Sequence, residues 1–383
     1  MTVAAASPAG LDDDVASPLG RELVALIEAH GPIDVATFMA LALGHPTHGY
    51  YSSRAALGAG GDFVTAPEAS QLFGELIGAA LATAWQQAGG APARLVELGP
   101  GNGTLLADLW RATAGVKGFH AALDVHLVET SPLLRRRQAE RLGAVPGLAW
   151  HAALDEVPAD RPLLVVANEF LDALPIRQLI RLEDGWHEIQ LGLDARGRLA
   201  FAPDPRPSPL ALRLPAAPIG SVLELSPARE AAVAGIAHRL ADQGGLALVV
   251  DYGERDPAPG STLQAVSRHR RVDPLTRPGE VDLTARVAFG PLTGIAGAAG
   301  AAVFGPVPQG LFLQRLGIDL RLERLLAGAS PAAAIGLRHG HARLTAPAAM
   351  GELFQVLAID GWGGGPPAGF VAAEANPPVT AAP

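Results

Sequence analysis

Apolar positions along this chain fall into two patterns. Short apolar runs, the mark of strands buried on both faces, occur at Leu95, Val96 and Leu98 and over 163–167 and 246–250, and 124–129 and 148–151 read as further short strands. Helical spacing lies between them: Leu105, Leu106, Leu109 and Trp110; then Leu133, Leu134 and Leu142 behind Ser131-Pro132; then 227–242, closed by Gly244-Gly245. Strand and helix in alternation predict an α/β fold with a mostly parallel sheet. Ahead of it, Leu23, Leu26 and Ile27 mark one short helix, and 33–43, with Phe38, Met39 and Leu43, a second. Thr65, Pro67 and Glu68 form a Thr-x-x-Glu start for a helix through Leu72, Phe73, Leu76, Ile77 and Leu81 towards Trp85. Runs at 176–182, 186–193 and 198–202 predict inserted strands joined by Asp-Gly and Arg-Gly turns, followed by a proline-rich connection over 203–218 and a strand at 222–226. Past 254 the pattern weakens to a polar loop region over 254–284, one helix over 310–326 and a last apolar segment over 350–359. The expected organisation is a disordered tail at 1–18, an N-terminal helical region at 19–90, a core at 91–360 with inserted strands and helices, and a loose tail at 361–383.

The run ending at Leu98 leads into Gly99-Pro100-Gly101-Asn102-Gly103 and then a helix start. Glycine lets the backbone turn tightly against a ligand, and a helix start offers unpaired N–H groups. A dinucleotide fingerprint needs its third glycine where Thr104 stands; here Gly103 comes one residue early. Glu97 precedes the first glycine by two, giving Glu-x-Gly-x-Gly-x-Gly, the form found in class I S-adenosylmethionine-dependent methyltransferases. Glu129, with Thr130 after it, ends the next strand, where a ribose diol is held; it lies further on than the usual ~20 residues. Asp155 follows the third strand, where an adenine amine can be read. Asn168, Glu169 and Asp172 fall at the carboxyl end of the central strand, where open α/β sheets bind ligands. Asp251 and Glu224 are second-rank acids.

Composition narrows the class. A net charge of −9 argues against a general nucleic-acid binder, and the cluster Arg135 to Arg137 sits on a predicted helix as a solvated face. There is no cysteine, hence no disulfide framework, and the histidines show no metal-binding pattern, so no metal is expected. No apolar run reaches membrane-spanning length, so no membrane insertion is expected. The acidic, arginine-free first 18 residues resemble neither a transit peptide nor a signal peptide, which predicts a cytoplasmic location.

Several long motifs, in one order, resemble the MidA-like S-adenosylmethionine-dependent methyltransferases, the family of the mitochondrial complex I assembly-factor arginine methyltransferase. They are Gly-Tyr-Tyr at 49, Gly-Asp-Phe-Val-Thr-Ala-Pro-Glu from 61, Ser-Gln-Leu-Phe-Gly-Glu-Leu from 70, Glu-Leu-Gly-Pro-Gly from 97, Val-Glu-Thr-Ser-Pro from 128, Asn-Glu-Phe-Leu-Asp-Ala-Leu-Pro from 168 and Val-Val-Asp-Tyr-Gly from 249. Thr-Leu-Gln-Ala from 262 and Pro-Gly-Glu-Val-Asp-Leu-Thr from 278 complete them. The resemblance implies a class I, Rossmann-like fold with a seven-stranded, mostly parallel sheet, N-terminal helices as a cofactor lid, and an inserted substrate region. It implies S-adenosylmethionine as cofactor, with Asp62, Phe63, Thr65, Glu68 and Gln71 at the lid. It also implies a protein acceptor, methylated on arginine in the mitochondrial branch, with a respiratory-complex subunit as the expected target. One departure is Asn102, where that family usually carries a basic residue. A guanidinium acceptor stays cationic near neutral pH and needs carboxylates to orient it, which gives Glu169 and Asp172 that role, with Asn168 beside them. Two rivals stay open: a non-catalytic cofactor-binding scaffold, and a nicotinamide-dependent oxidoreductase, which the glycine spacing and Pro100 disfavour. Oligomeric state is not legible.

Overall fold

The computed structural model describes residues 17–53, 64–214, 216–257, 260–267 and 270–376. They divide into two compact units that the chain visits alternately. One takes residues 17–53 with Ala173–Ala228 and Pro257–Arg286; the other takes Val64–Asp172, Arg229–Asp256 and residues 287–376. The region 19–90 is thus split between the units, with residues 64–90 belonging to the second.

The second unit holds the larger sheet. Its main strands in chain order are β1 (Ala93–Leu98), β2 (Leu123–Val128), β3 (Ala149–His151), β4 (Leu163–Asn168), β5 (Gly245–Glu254), β6 (Ala302–Pro308) and β7 (Phe354–Asp360). Across the sheet they run β3-β2-β1-β4-β5-β7-β6, with the short Val287–Ala288 pairing off β5. Every pairing along this path is parallel except those of β7, which runs antiparallel to β5 and β6. This is the expected class I arrangement, and the order reverses between β1 and β4. A crevice opens at such a switch point, beyond the carboxyl ends of the strands. The glycine turn follows β1 directly, and Asn168 ends β4 with Glu169 next to it.

Burial explains why these runs are strands. All six residues of β1 and of β4 are buried, as in a sheet covered on both faces. On one face Leu95, Leu164, Val166, Leu246 and Leu248 pack with Leu72, Phe73, Ile77 and Leu81 of the helix Gln71–Gln87 and with Leu105 and Leu109 of the helix Thr104–Thr113. Each such side chain contributes roughly 1.5–3 kcal/mol when fully buried. The two helices approach closely at Gly78, where a Cβ would stand 2.9 Å from Leu109 Cγ.

The first unit has its own core of Leu19, Leu23, Phe38, Met39, Tyr50, Ile176, Leu191 and Leu283. A five-stranded antiparallel sheet contains Arg177–Leu182, Gly185–Leu193, Leu199–Pro207 and Val222–Leu225, and a three-stranded one contains Gln264–Ser267, Arg270–Val272 and Asp282–Thr284.

Several expectations change. Helix Pro18–His30 begins inside the expected tail, because Ser17 Oγ caps it by accepting from Gly20 N–H. The long helix from Thr65 is two helices, Ala66–Ala69 and Gln71–Gln87, broken at extended Ser70. Leu199–Pro207 carries strand into the proline-rich stretch, and the three-stranded sheet occupies part of the expected polar loop. The helix over 310–326 is Gln309–Arg315 and Ile318–Leu326, separated by left-handed Gly317. Residues 361–376, expected as loose tail, are tied back: Arg315 pairs with Glu374, and Asn376 donates to the Gly305 carbonyl at 2.7 Å. Among the described residues no helix is long and apolar enough to cross a membrane, and no group of three or more His, Asp or Glu is placed to hold a metal ion.

Candidate active site

The turn after β1 places Gly99, Gly101 and Gly103 at φ 62°, 54° and 74°, a conformation that side chains oppose. At Gly99 an added Cβ would also meet the Phe170 ring at 3.0 Å. Gly99 N–H donates to the Val128 carbonyl, and Gly103 N–H turns back onto the Pro100 carbonyl. Gly103 then opens Thr104–Thr113 as its N-cap without a side-chain cap, so backbone N–H groups line the turn's exit.

Glu129 sits buried at the end of β2. Its Oε1 accepts from Ser131 N–H at 2.8 Å and its Oε2 from Gln138 Nε2 at 3.3 Å. Burial pushes its pKa up, against the donors at Ser131, Gln138 and Thr130 and the charge of Arg135. Gln138, fully buried on the helix Pro132–Arg141, also donates to the Gly101 carbonyl at 2.8 Å and accepts from Trp150 Nε1 at 2.9 Å. It therefore ties the acid, the glycine turn and β3 together. Sequence reasoning missed it, since nothing marks one amide in an arginine-rich helix. Thr130 is exposed beside Glu129, and Asp155 lies exposed in the 3-10 turn Leu154–Glu156 after β3.

Thr65 occupies an N-cap position but makes no side-chain cap bond, so the expected capping box does not form. Pro67 removes one N–H from the first turn, and Glu68 reaches elsewhere: its Oε1 accepts from Asn102 Nδ2 at 3.2 Å and Thr104 Oγ1 at 2.6 Å. Arg137 Nη1 donates to Asn102 Oδ1 at 3.3 Å, which brings a cation to the position where the resemblance expects one. Gln71 donates along its own helix to Glu75. Asp62 and Phe63 lie outside the described residues.

At the end of β4 the predicted acids converge. Glu169 has φ 49°, which a non-glycine residue seldom adopts and which marks a strained position. Its Oε1 accepts from Ala66 N–H at 2.8 Å and from Asn168 Nδ2 at 3.2 Å. Dense packing strips water from the carboxyl and, with the Asp172 charge adding, pushes its pKa up to about 7. Asp172 is buried. Asp251, expected as a second-rank acceptor group, is instead an anchor: its Oδ2 accepts from the N–H groups of Phe170, Leu171 and Asp172, and its Oδ1 from Tyr252 N–H. Burial and the charge of Asp172 push its pKa up while Arg229 opposes them. Arg229 clamps the same turn by donating to the Leu171 carbonyl at 2.7 Å. Glu224, in the other unit, holds Thr262 and Gln178.

Two buried polar atoms here have no partner, Glu97 Oε2 and Asn168 Oδ1. Glu97 lies opposite Val166 in the β1–β4 register, so Glu97 and Asn168 share one face of the sheet. Burial pushes Glu97 up to about 8. Orphaned buried polar atoms are costly and are met by water, an ion or a ligand. A nucleoside carrying an amino-acid chain would fit this set, with Glu97 and Asn168 available to its polar amino-acid end, Glu129 to a ribose diol and the turn at 99–103 between them.

Comparison with known proteins decides the family. Residues 76–307 match a family described as S-adenosyl-L-methionine-dependent methyltransferase. The chain belongs to it. The relatives agree with that assignment. The chain is 38% identical over 371 residues to the Drosophila melanogaster protein arginine methyltransferase NDUFAF7 homolog, mitochondrial, covering 89% of this chain and 84% of that one. It is 34% identical over 370 residues to the Homo sapiens protein arginine methyltransferase NDUFAF7, mitochondrial, covering 90% and 83%. A Burkholderia thailandensis protein crystallised with S-adenosyl-homocysteine superposes with a TM-score of 0.77 at 32% identity, covering 93% of this chain and 95% of that one. The cofactor of this methyltransferase is S-adenosylmethionine, as expected. One expectation is corrected. The relatives are mitochondrial by name, so the cytoplasmic location is withdrawn.

Proposed function

We propose that this methyltransferase modifies an arginine side chain of a protein, with Glu169 and Asp172 holding the guanidinium and Asn168 beside them. The carrying observation is the convergence of these groups at the switch point, with Glu169 in a strained backbone conformation. The names of the relatives support the acceptor type. Bound S-adenosylmethionine supplies an electrophilic methyl group, and the protein's task is alignment. Both donors to Glu169 fall on Oε1, which leaves Oε2 to receive a guanidinium N–H. As the N–C bond forms, the methyl–sulfur bond would break with its electron pair left on sulfur, and the nitrogen would release a proton. A carboxylate with a pKa of about 7 is matched to accept it at neutral pH. Within the protein class, the family resemblance favours a respiratory-complex subunit as acceptor.

Tritiated cofactor, incubated with the enzyme and a cell lysate, tests the acceptor type. Acid hydrolysis should release the label as methylarginine; label in another amino acid overturns the assignment. Glu169→Gln keeps the shape and removes the charge. Transfer should fall ~100-fold or more, while cofactor affinity barely moves. In the parent enzyme the rate should rise with pH around a midpoint near 7, as Glu169 ionises to meet a cationic acceptor. A Gln variant that melts early yet transfers normally when folded would make Glu169 structural.

A further inference from the structure

The helix Pro331–Thr345 buries only Gly340 and Leu344, too little apolar surface to account for its placement by packing alone. It is tied to the helices before it by His341, paired with Asp319 at 2.8 Å, and by Gln309 Nε2, which donates to the Leu344 carbonyl at 3.0 Å. Two further contacts fall on one short segment elsewhere in the unit. A Cβ at Gly340 would stand 2.6 Å from the Ala69 carbonyl oxygen and 2.6 Å from Ser70 Cβ, so only glycine allows this approach. Arg343 Nη2 donates to the Val64 carbonyl at 3.0 Å. Between those contacts lies Ala66, whose N–H donates to Glu169. We propose that Pro331–Thr345 is the positioning element of the acceptor site, with Arg343 and Gly340 fixing residues 64–70 so that Ala66 N–H holds Glu169.

This rests on the reading of Glu169 given above. The element acts through hydrogen-bond geometry and through charge. Groups acting on Glu169 are Asp172 in its own turn and Asp251 on β5, both acidic, the amide of Asn168, and the Arg343 guanidinium from this helix, which favours the carboxylate. Glu68, on the same short helix as Ala66, is turned away onto Asn102 and Thr104. Arg343 thus supplies a cation to an acid-rich turn from outside it.

The test follows Glu169 directly in the full chain without acceptor. Carboxyl-13C glutamate spectra, assigned with Glu169→Gln, give its titration midpoint, and amide exchange gives the protection of Ala66. Arg343→Gln should raise the midpoint by ~0.5–1 pH unit and speed Ala66 exchange ~10-fold or more. Arg343→Lys, which keeps the charge, should restore most of the midpoint and less of the protection. Gly340→Ala should speed Ala66 exchange with the charge intact; if it fails to fold, the Arg343 pair decides. Arg338→Gln, on the same helix, should change neither. An Arg343→Gln protein with the parent midpoint and parent Ala66 protection overturns the inference and leaves the acceptor reading standing. Normal methyl transfer by Glu169→Gln overturns the acceptor reading whatever the spectra show.

Discussion

Glu129 holds the fold from a position open to a ligand role. It keeps the Ser131 and Gln138 donors satisfied and follows β2 directly, the place where open α/β sheets hold a ribose diol. Glu129→Ala should cost about 1.5–3 kcal/mol of cofactor affinity for the lost charge-assisted bond, and about 1–3 kcal/mol of stability for the orphaned donors. Calorimetry and denaturant unfolding separate the two, and unchanged affinity in a folded variant removes the ribose assignment. At this scale the sequence was a good guide wherever spacing dictates backbone. The alternating glycines and the acids at strand ends are where the motifs put them. It failed wherever a side chain is claimed from across the fold. Thr65 and Glu68 have the spacing of a capping box, yet Thr65 makes no side-chain cap bond and the Glu68 carboxylate is drawn to Thr104 and Asn102. Gln138 is fixed by Trp150 and Gly101, partners that no local pattern announces.

Helices and strands were legible in proportion to how completely they bury a regular face. β4 reads as five apolar residues in a row because it lies mid-sheet. Pro331–Thr345 has no apolar stripe to read, and β6, with Gly305 and Pro306 inside it, breaks the period of a strand. The Gln309–Arg315 and Ile318–Leu326 pair merged in the sequence because apolar spacing continues across Gly317. A polar tie between helices was equally hidden. Glu75, with a side chain only 2% exposed, pairs with Arg111 at 2.8 Å and Arg321 at 2.7 Å, joining Gln71–Gln87 to Thr104–Thr113 and Ile318–Leu326. The arginines left behind are 50% and 34% exposed, so water screens them, and Glu75→Ala should cost about 1–3 kcal/mol, less than a fully buried pair. Urea unfolding measures it, and a loss under ~1 kcal/mol would show that the arginines turn to water at no cost.

At the scale of the molecule, two cores are assembled from interleaved stretches of chain, and interleaving is a property of contacts that periodicity cannot report. Buried acids concentrate in one of them. Burial raises Glu97 to about 8 and Glu169 to about 7, both from 4.5. In the folded protein these groups keep protons that the unfolded chain has released. The stability they confer is complete below pH 4.5 and is lost as pH rises to about 8, at about 1.4 kcal/mol per pH unit for each group while it titrates. His126 opposes this: burial lowers it from 6.5 to about 4, so it adds stability as pH rises through that interval. His187, raised by its bond to the Asp204 carbonyl, loses stability in the same direction as the glutamates above 6.5. The net fall should therefore be steepest between pH 6.5 and 8 in the cofactor-free protein. Denaturant unfolding at half-unit steps should show stability declining there, and Glu97→Gln should remove most of the slope, since an amide has no proton to lose. A parent protein whose stability is flat or rising across that interval would mean that Glu97 is already ionised at neutral pH, with a cation held against its unpaired oxygen.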